Sequence, residues 1–142
     1  MVSVTADSNI WISAFNFAGK PRRLIEMADA GEIDLAVSEA IIAEVMHVLR
    51  DNFQWSDEGL AEAQYQMNTA ARKVVPPETV DVIREDPADN RILECAAAAR
   101  SDYIVSGDDD LLRVKVFRDM PIVKVANFLN RGNFVGGLIF KF

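Results

Sequence analysis

The chain has 142 residues, half of them hydrophobic, and carries a formal net charge of −7 at pH 7. This length corresponds to one domain, and the hydrophobic content is sufficient for a core that needs no disulfides. The single cysteine, Cys95, excludes an intramolecular disulfide and is expected in the core. The negative charge argues against a module that binds nucleic acid through charge alone, although bound divalent cations would reverse the local charge.

The N-terminal sequence lacks the basic start and the long apolar run of a signal peptide. No segment has the roughly 20 apolar residues that a membrane-spanning helix requires. We therefore expect a cytoplasmic protein.

Short apolar runs alternate with helical patterns along the chain, which predicts an α/β fold with a parallel sheet covered on both faces by helices. Pro21 suits the first turn of a helix, Ser38 and Ser56 suit N-caps, and Pro76-Pro77 indicates a loop. We predict strands at residues 2–6, 33–37, 80–83, 102–106 and 122–125. We predict helices at residues 9–17, 22–30, from 39, from 56 to about 73, 90–100, after Gly107 and at 126–130.

Two acids directly follow predicted strands. Asp7 follows the first strand, and Asp108 follows the strand residues Tyr103–Val105 by way of Ser106 and Gly107. In an open α/β sheet, active sites lie at the carboxyl ends of the strands, so both acids are expected at one edge. A helix cap or a turn is the alternative role for each of them.

Two further acids are candidates for the same edge. Asp89 opens a helix after the turn sequence Asp86-Pro87-Ala88, and Glu44 interrupts the apolar face of the helix that follows Ser38. Capping is the alternative for Asp89, and an ordinary exposed helix acid is the alternative for Glu44. His47, three residues after Glu44, is interpreted as structural, with a supporting role beside Glu44 as the alternative.

Several converging carboxylates would repel one another, by roughly 3 kcal/mol per pair at about 5 Å, and would take up protons or bind a cation. Oxygen ligands favour Mg²⁺ or Mn²⁺, and one histidine and one cysteine cannot build an ordinary zinc site. The chemistry that follows is metal-dependent hydrolysis of a phosphodiester. The chain has no glycine-rich phosphate-binding loop, which argues against the use of ATP or a dinucleotide.

Four segments resemble the motifs of the PIN-domain family, in the same order and on the predicted elements. The likeness extends from about residue 2 to residue 129. The segments are VTADSNIWISA (4–14), SEAIIAEV (38–45), DPADNRILECA (86–96) and DYIVSGDDDLL (102–112).

The resemblance implies a three-layer α/β/α sandwich with a central parallel sheet of about five strands. It implies an endoribonuclease that depends on Mg²⁺ or Mn²⁺, closest to the VapC-like toxins of prokaryotic toxin–antitoxin pairs. Such a toxin has a cognate antitoxin and is often a homodimer. We expect one PIN-like domain over residues 1–142, with a core at about 2–129 and an apolar tail at 130–142 that forms an edge strand or is buried in a dimer.

The resemblance also assigns roles to individual residues. Asp86 competes with Asp89 for the third acidic position, and Asp89 is favoured because it opens the helix. The metal-binding and catalytic acids become Asp7, Glu44, Asp89 and Asp108, with Asp110 as a further metal ligand and with Asn9 and Ser106 supporting the site.

RNA would also need cations near the site. Lys20, Arg22 and Arg23 form one candidate group of phosphate contacts, and Arg113, Lys115 and Arg118 form another; ordinary surface charge is the alternative for both.

Two other functions remain open at this point. One is a PIN-fold scaffold or nucleic-acid-binding protein without catalysis. The other is a phosphatase with an aspartyl nucleophile, which commonly has a second aspartate two residues after the first, where this chain has Asn9.

Overall fold

The computed structural model of the chain describes residues 1–131, 133–135 and 138–140. Its strands are β1 (Ser3–Ala6), β2 (Asp34–Val37), β3 (Ala71–Lys73), β4 (Tyr103–Val105), β5 (Val116–Phe117), β6 (Met120–Val123), β7 (Asn133–Val135) and β8 (Leu138–Phe140). The first six strands form one sheet in the order β3-β2-β1-β4-β6-β5. Within this sheet only β5 runs antiparallel to its neighbour, so five strands are parallel, which is the number expected, although one of them, β3, is not among the predicted strands.

Among the described residues, seven α-helices connect the strands: α1 (Ser8–Asn16), α2 (Lys20–Asp29), α3 (Glu39–Asp51), α4 (Asp57–Ala70), α5 (Asn90–Ala99), α6 (Asp109–Val114) and α7 (Val125–Arg131). A 3₁₀ turn, Pro87–Asp89, leads into α5. The predicted caps are confirmed, since Ser38 Oγ accepts from the N–H of Ile41 and Ser56 Oγ from that of Gly59. Within the described residues, no helix combines the length and the hydrophobicity that crossing a membrane requires.

Strand β1 lies in the middle of the sheet, between β2 and β4, and its apolar side chains are buried. The core around it contains fully buried side chains from several helices, including Trp11, Leu24, Ile41 and Phe128. Helix α5 packs against β1 and β2, while α1 packs against α2 and α3. The predicted α/β/α sandwich is thus confirmed.

The helix predicted to extend from Ser56 to about Lys73 is shorter than expected. It ends at Ala70, and Ala71 adopts an extended conformation (φ −125°, ψ 151°) that begins β3. The residues of β3 pair in parallel with β2, and Arg72 forms an ion pair with Asp34 at 3.1 Å. Tertiary pairing therefore decides the conformation of a segment whose composition also suits a helix.

The strand predicted at residues 80–83 is not formed. Side chains of α5 bind the main chain of this segment instead: Glu94 Oε2 accepts from the N–H of Val80, and Asn90 Oδ1 accepts from the N–H groups of Val82 and Ile83. Asn90 Nδ2 also donates to the carbonyl oxygen of Ile83. The apolar residues Val80 and Ile83 are buried, as in a strand, but without a strand partner.

The end of the chain also differs from the prediction. Strand β5 forms a hairpin with β6, which begins at Met120 and ends at Val123, so Val125 belongs to α7. In the tail, β7 and β8 pair with each other as a separate two-stranded sheet and do not extend the central sheet. Residues 132, 136, 137, 141 and 142 of the tail lie outside the described residues, and its burial in a dimer stays a prediction.

We expect Asn90→Ala to lower the free energy of unfolding by about 2–4 kcal/mol, because the buried main-chain groups of Ile83 would lose their partner. The measurement is urea denaturation in EDTA. The exposed Asn68 on α4 provides the control, since Asn68→Ala should change stability by no more than about 0.5 kcal/mol. Equal stability of the two variants would contradict the role given to the Asn90 side chain.

Candidate metal centre

The carboxyl ends of β1 and β4 lie side by side and bring Asp7 close to Ser106. The N–H of Asp7 donates to the carbonyl oxygen of Val105 at 3.0 Å. The hydroxyl of Ser106 donates to Asp7 Oδ2 and accepts from the N–H of Asp108 at 2.9 Å. Ser106 therefore connects the acids that follow the two strands, as a residue supporting the site would.

Asp7 is almost completely buried and is also the N-cap of α1, where its Oδ1 accepts from the N–H of Ile10 at 3.0 Å. The pKa of Asp7 is raised overall. Burial is the largest cause; the hydrogen bonds from Ser106 and Ile10 lower the pKa in part, and the charge of Asp108 raises it. Both oxygens of Asp7 accept hydrogen bonds, but each carboxylate oxygen keeps a further lone pair for a cation. Capping and participation in the site are thus compatible.

Three further carboxyl groups converge next to Asp7. One oxygen of each of Asp86, Asp89 and Asp108 lies within 4.8 Å of the others, and we call these three residues the acid cluster. Asp108 is held in place by the N–H groups of Asp110 and Leu111, which donate to its Oδ1 at 2.8 and 3.2 Å. At this separation, repulsion between charged pairs amounts to roughly 3 kcal/mol at an effective dielectric constant near 20.

Asp89 differs from the other acids because it makes no capping hydrogen bond at the start of α5. Burial, followed by the charges of Asp108 and Asp86, raises the pKa of Asp89 to about 7. Its Oδ2 is buried and has no hydrogen-bond partner among the described residues. A buried acceptor without a partner is costly, so this oxygen fits a site completed by a cation.

Asp86 belongs to the acid cluster, although the sequence indicated it only as the alternative to Asp89 for the third acidic position. The 3₁₀ turn Pro87–Asp89 accounts for its inclusion, because residues three apart in this type of helix lie above one another. The three-residue spacing of Asp86 and Asp89, with Pro87 between them, is the signal in the sequence that could have placed both acids at the site. The acid cluster offers oxygen ligands alone, the donor type that hard divalent cations such as Mg²⁺ and Mn²⁺ prefer.

Glu44 lies at the border of the site and is outside the acid cluster. Glu44 is exposed on α3, and its Oε2 accepts a hydrogen bond from Ser8 Oγ at 2.7 Å. Ser8 is buried and directly follows Asp7, so this hydrogen bond ties Glu44 to the first acid. Sequence reasoning missed Ser8, although a serine beside the first acid was visible in the motif.

Other predicted site residues lie around the acid cluster without joining it. Asp110 forms an ion pair with Arg113 at 3.0 Å, and Asn9 is exposed in the first turn of α1. His47 pairs with Asp51 at 3.0 Å and not with Glu44, which agrees with a structural role. Burial raises the pKa of the Cys95 thiol to about 11, so this core cysteine stays protonated at neutral pH.

Three of the six predicted phosphate contacts bind acidic or main-chain groups of the protein itself. Arg113 and Arg118 form ion pairs with Asp110 and Glu78, and Arg22 Nε donates to the carbonyl oxygen of Ala14. Lys20, Arg23 and Lys115 are exposed.

The Ser8–Glu44 hydrogen bond gives the first prediction for this site. We expect Ser8→Ala to weaken Mn²⁺ binding about tenfold, because Glu44 would lose the partner that holds it beside Asp7. Isothermal titration calorimetry measures the affinity. Ser13→Ala on the same helix is the control and should bind Mn²⁺ like the unmodified chain. Identical affinities for all three proteins would count against a positioning role of Ser8.

The raised pKa of Asp89 gives the second prediction. Binding of Mn²⁺ requires the ionised carboxylate, so the proton held with a pKa of about 7 must leave first. We expect the affinity for Mn²⁺ to rise about tenfold between pH 6 and pH 8, as competition with one such proton requires. Calorimetric titrations at both pH values test this, and an affinity independent of pH over this interval would contradict it.

Comparison with known protein families agrees with this fold. The model of the PIN domain family matches residues 3–110, from β1 into the first turn of α6. The matched region includes Asp7, Glu44 and the whole acid cluster. No curated protein is similar enough to the chain to count as a relative. Since the family model covers well over half of the sequence, this chain belongs to the PIN-domain family.

Proposed function

We propose that the protein is an endoribonuclease that hydrolyses RNA phosphodiester bonds with the help of Mg²⁺ or Mn²⁺. The observation that supports this most is the acid cluster, three carboxyl groups within 4.8 Å of one another beside the buried Asp7. Such a concentration of negative charge suits a divalent cation. In a PIN domain, whose relatives are generally metal-dependent nucleases, its position at the carboxyl edge of the sheet favours catalysis over scaffolding.

We assign metal binding and catalysis to Asp7, Glu44, Asp89 and Asp108, and add Asp86 as a further ligand. A bound Mg²⁺ or Mn²⁺ supplies positive charge that activates water and stabilises the charge of the phosphate. Ser106 orients Asp7 and Asp108, and Ser8 orients Glu44. The exposed Asn9 is available to substrate. We leave Asp110 out of the ligand set because it pairs with Arg113.

We further propose that the protein is the toxin of a type II toxin–antitoxin pair and acts in the cytoplasm. A cavity of about 290 Å³ between α1, α2 and α4 is lined by apolar residues such as Phe15, Ile25 and Trp55 and by charged ones such as Arg22 and Glu62. A groove of this composition suits an amphipathic segment of an antitoxin.

This proposal includes binding of a cognate antitoxin and formation of a homodimer.

Asp89→Asn tests the proposed chemistry and the proposed repulsion together. We expect cleavage of a single-stranded RNA in Mn²⁺ to fall about 100-fold or more, because a ligand is lost while the size of the side chain is kept. In EDTA at pH 8, the free energy of unfolding should rise by about 1 kcal/mol, because the neutral amide avoids the cost of burying a charge and is not repelled by Asp108 and Asp86.

The sign of this stability effect follows from the raised pKa. The folded chain holds the Asp89 proton up to about pH 7, whereas the unfolded chain releases it near 3.8, so stability from this group is lost as the pH rises across that interval. The gain from Asp89→Asn should therefore be present at pH 8 and shrink at pH 5.

The exposed Asp109 provides a matched control, because it lies next to Asp108 in the chain but outside the acid cluster. Asp109→Asn should keep RNA cleavage and should not gain stability in EDTA. If Asp89→Asn cleaves RNA as well as Asp109→Asn does, the assignment of the metal-dependent activity to the acid cluster is wrong. If the unmodified chain neither binds Mn²⁺ nor cleaves RNA, the protein is better explained as a PIN-fold scaffold without catalysis.

The toxin role has its own test. We expect expression of the unmodified chain in a bacterium to arrest growth, and expression of Asp108→Asn at the same level to permit it, because loss of a ligand removes cleavage. Growth curves with immunoblots of both proteins measure this. Equal arrest by both forms would argue against toxicity through RNA cleavage.

A further inference from the structure

An acidic nuclease has to bring a polyanionic substrate to a negatively charged site. The chain carries a net charge of −7, and four of its carboxyl groups, those of Asp7 and the acid cluster, lie at one edge of the sheet. A single divalent cation neutralises only part of this charge. Favourable contact with the RNA backbone therefore requires cationic side chains beside the site.

Two lysines lie at the carboxyl ends of the parallel strands. Lys73 ends β3 and forms an ion pair with Glu39, so its charge is already neutralised. Lys124 directly follows β6; it is exposed and has no acidic partner among residues 1–131. Of these two lysines, Lys124 is thus the one that remains available to a ligand.

The main chain places Lys124 next to the residues of the metal centre. The N–H of Ser106 donates to the carbonyl oxygen of Val123 at 3.0 Å, which sets the end of β6 against the end of β4. The carbonyl oxygen of Lys124 accepts from the N–H of Phe128 at 2.9 Å, so the backbone at this position is fixed by α7. Asp108 lies two residues beyond Ser106, on the same edge of the sheet.

We propose that Lys124 binds a backbone phosphate of the RNA substrate beside the cleaved bond. This inference rests on the proposed ribonuclease function and adds to it a contact that the motifs do not include. A lysine ammonium group binds phosphate as a point charge and reads no base, so the contact should act equally on RNAs of different sequence.

The experiment compares Lys124→Gln with Arg100→Gln, which removes the same charge at the opposite edge of the sheet. Arg100 is exposed at the end of α5, where the N–H of Asp102 donates to the carbonyl oxygen of Ser3 at the start of β1. Steady-state cleavage of a single-stranded RNA in Mn²⁺ gives kcat and KM. Titration of each protein with Mn²⁺ alone gives its affinity for the metal. Titration with RNA at several salt concentrations gives the salt dependence of RNA binding; for this measurement each protein also carries Asp108→Asn, so that the RNA is not cleaved.

We expect Lys124→Gln to raise KM about fivefold near 0.1 M salt, which corresponds to one phosphate contact to a single strand. The slope of log affinity against log salt should become shallower by about 0.7. The affinity for Mn²⁺ should not change, and kcat should stay within about twofold. Arg100→Gln should leave all four quantities unchanged, and Lys124→Arg should restore KM because it keeps the charge.

Two negative results have different meanings. If the unmodified chain cleaves RNA but Lys124→Gln has the KM and salt dependence of Arg100→Gln, the Lys124 contact is wrong while the ribonuclease function stands. If the unmodified chain neither binds Mn²⁺ nor cleaves RNA, the ribonuclease function and the Lys124 contact are both wrong.

Discussion

Repulsion among carboxyl groups at one edge of the sheet is the constraint on which the rest of the site depends. The fold places Asp7 after β1 and Asp108 after β4, and the 3₁₀ turn brings Asp86 and Asp89 to the same place. Apolar burial elsewhere in the domain supplies the stability that offsets this arrangement. Burial, together with this repulsion, raises the pKa of Asp89 to about 7, and Asp89 Oδ2 is buried with no hydrogen-bond partner among the described residues.

Much of the fold was predictable because its signals are local. The caps Ser38 and Ser56, the proline of α2 and the apolar runs of β1, β2 and β4 each identify an element within a few residues. Strand β3 was not predictable in this way, since it exists only through pairing with β2. The segment at residues 80–83 has the apolar pattern of a strand, but side chains of α5 take the hydrogen bonds that a neighbouring strand would supply.

The site was predictable as a set of acids and less so in its arrangement. Sequence position identified Asp7, Asp89 and Asp108 because strand ends and helix starts meet at one edge of the sheet. Asp86 and Asp89 both lie in the acid cluster, so their positions in the structure do not choose between them as the third acid. The pairing of Ser8 with Glu44 depends on how α1 packs beside α3, and a single sequence gives no measure of that distance.

The two outer strands of the central sheet are unusually short, with three residues in β3 and two in β5. Strands of this length present few free N–H and carbonyl groups along the outer margins. Another polypeptide gains little by adding itself as an extra strand there, and the domain is protected against edge-to-edge aggregation. The two margins of the central sheet are therefore poor places for another chain to attach.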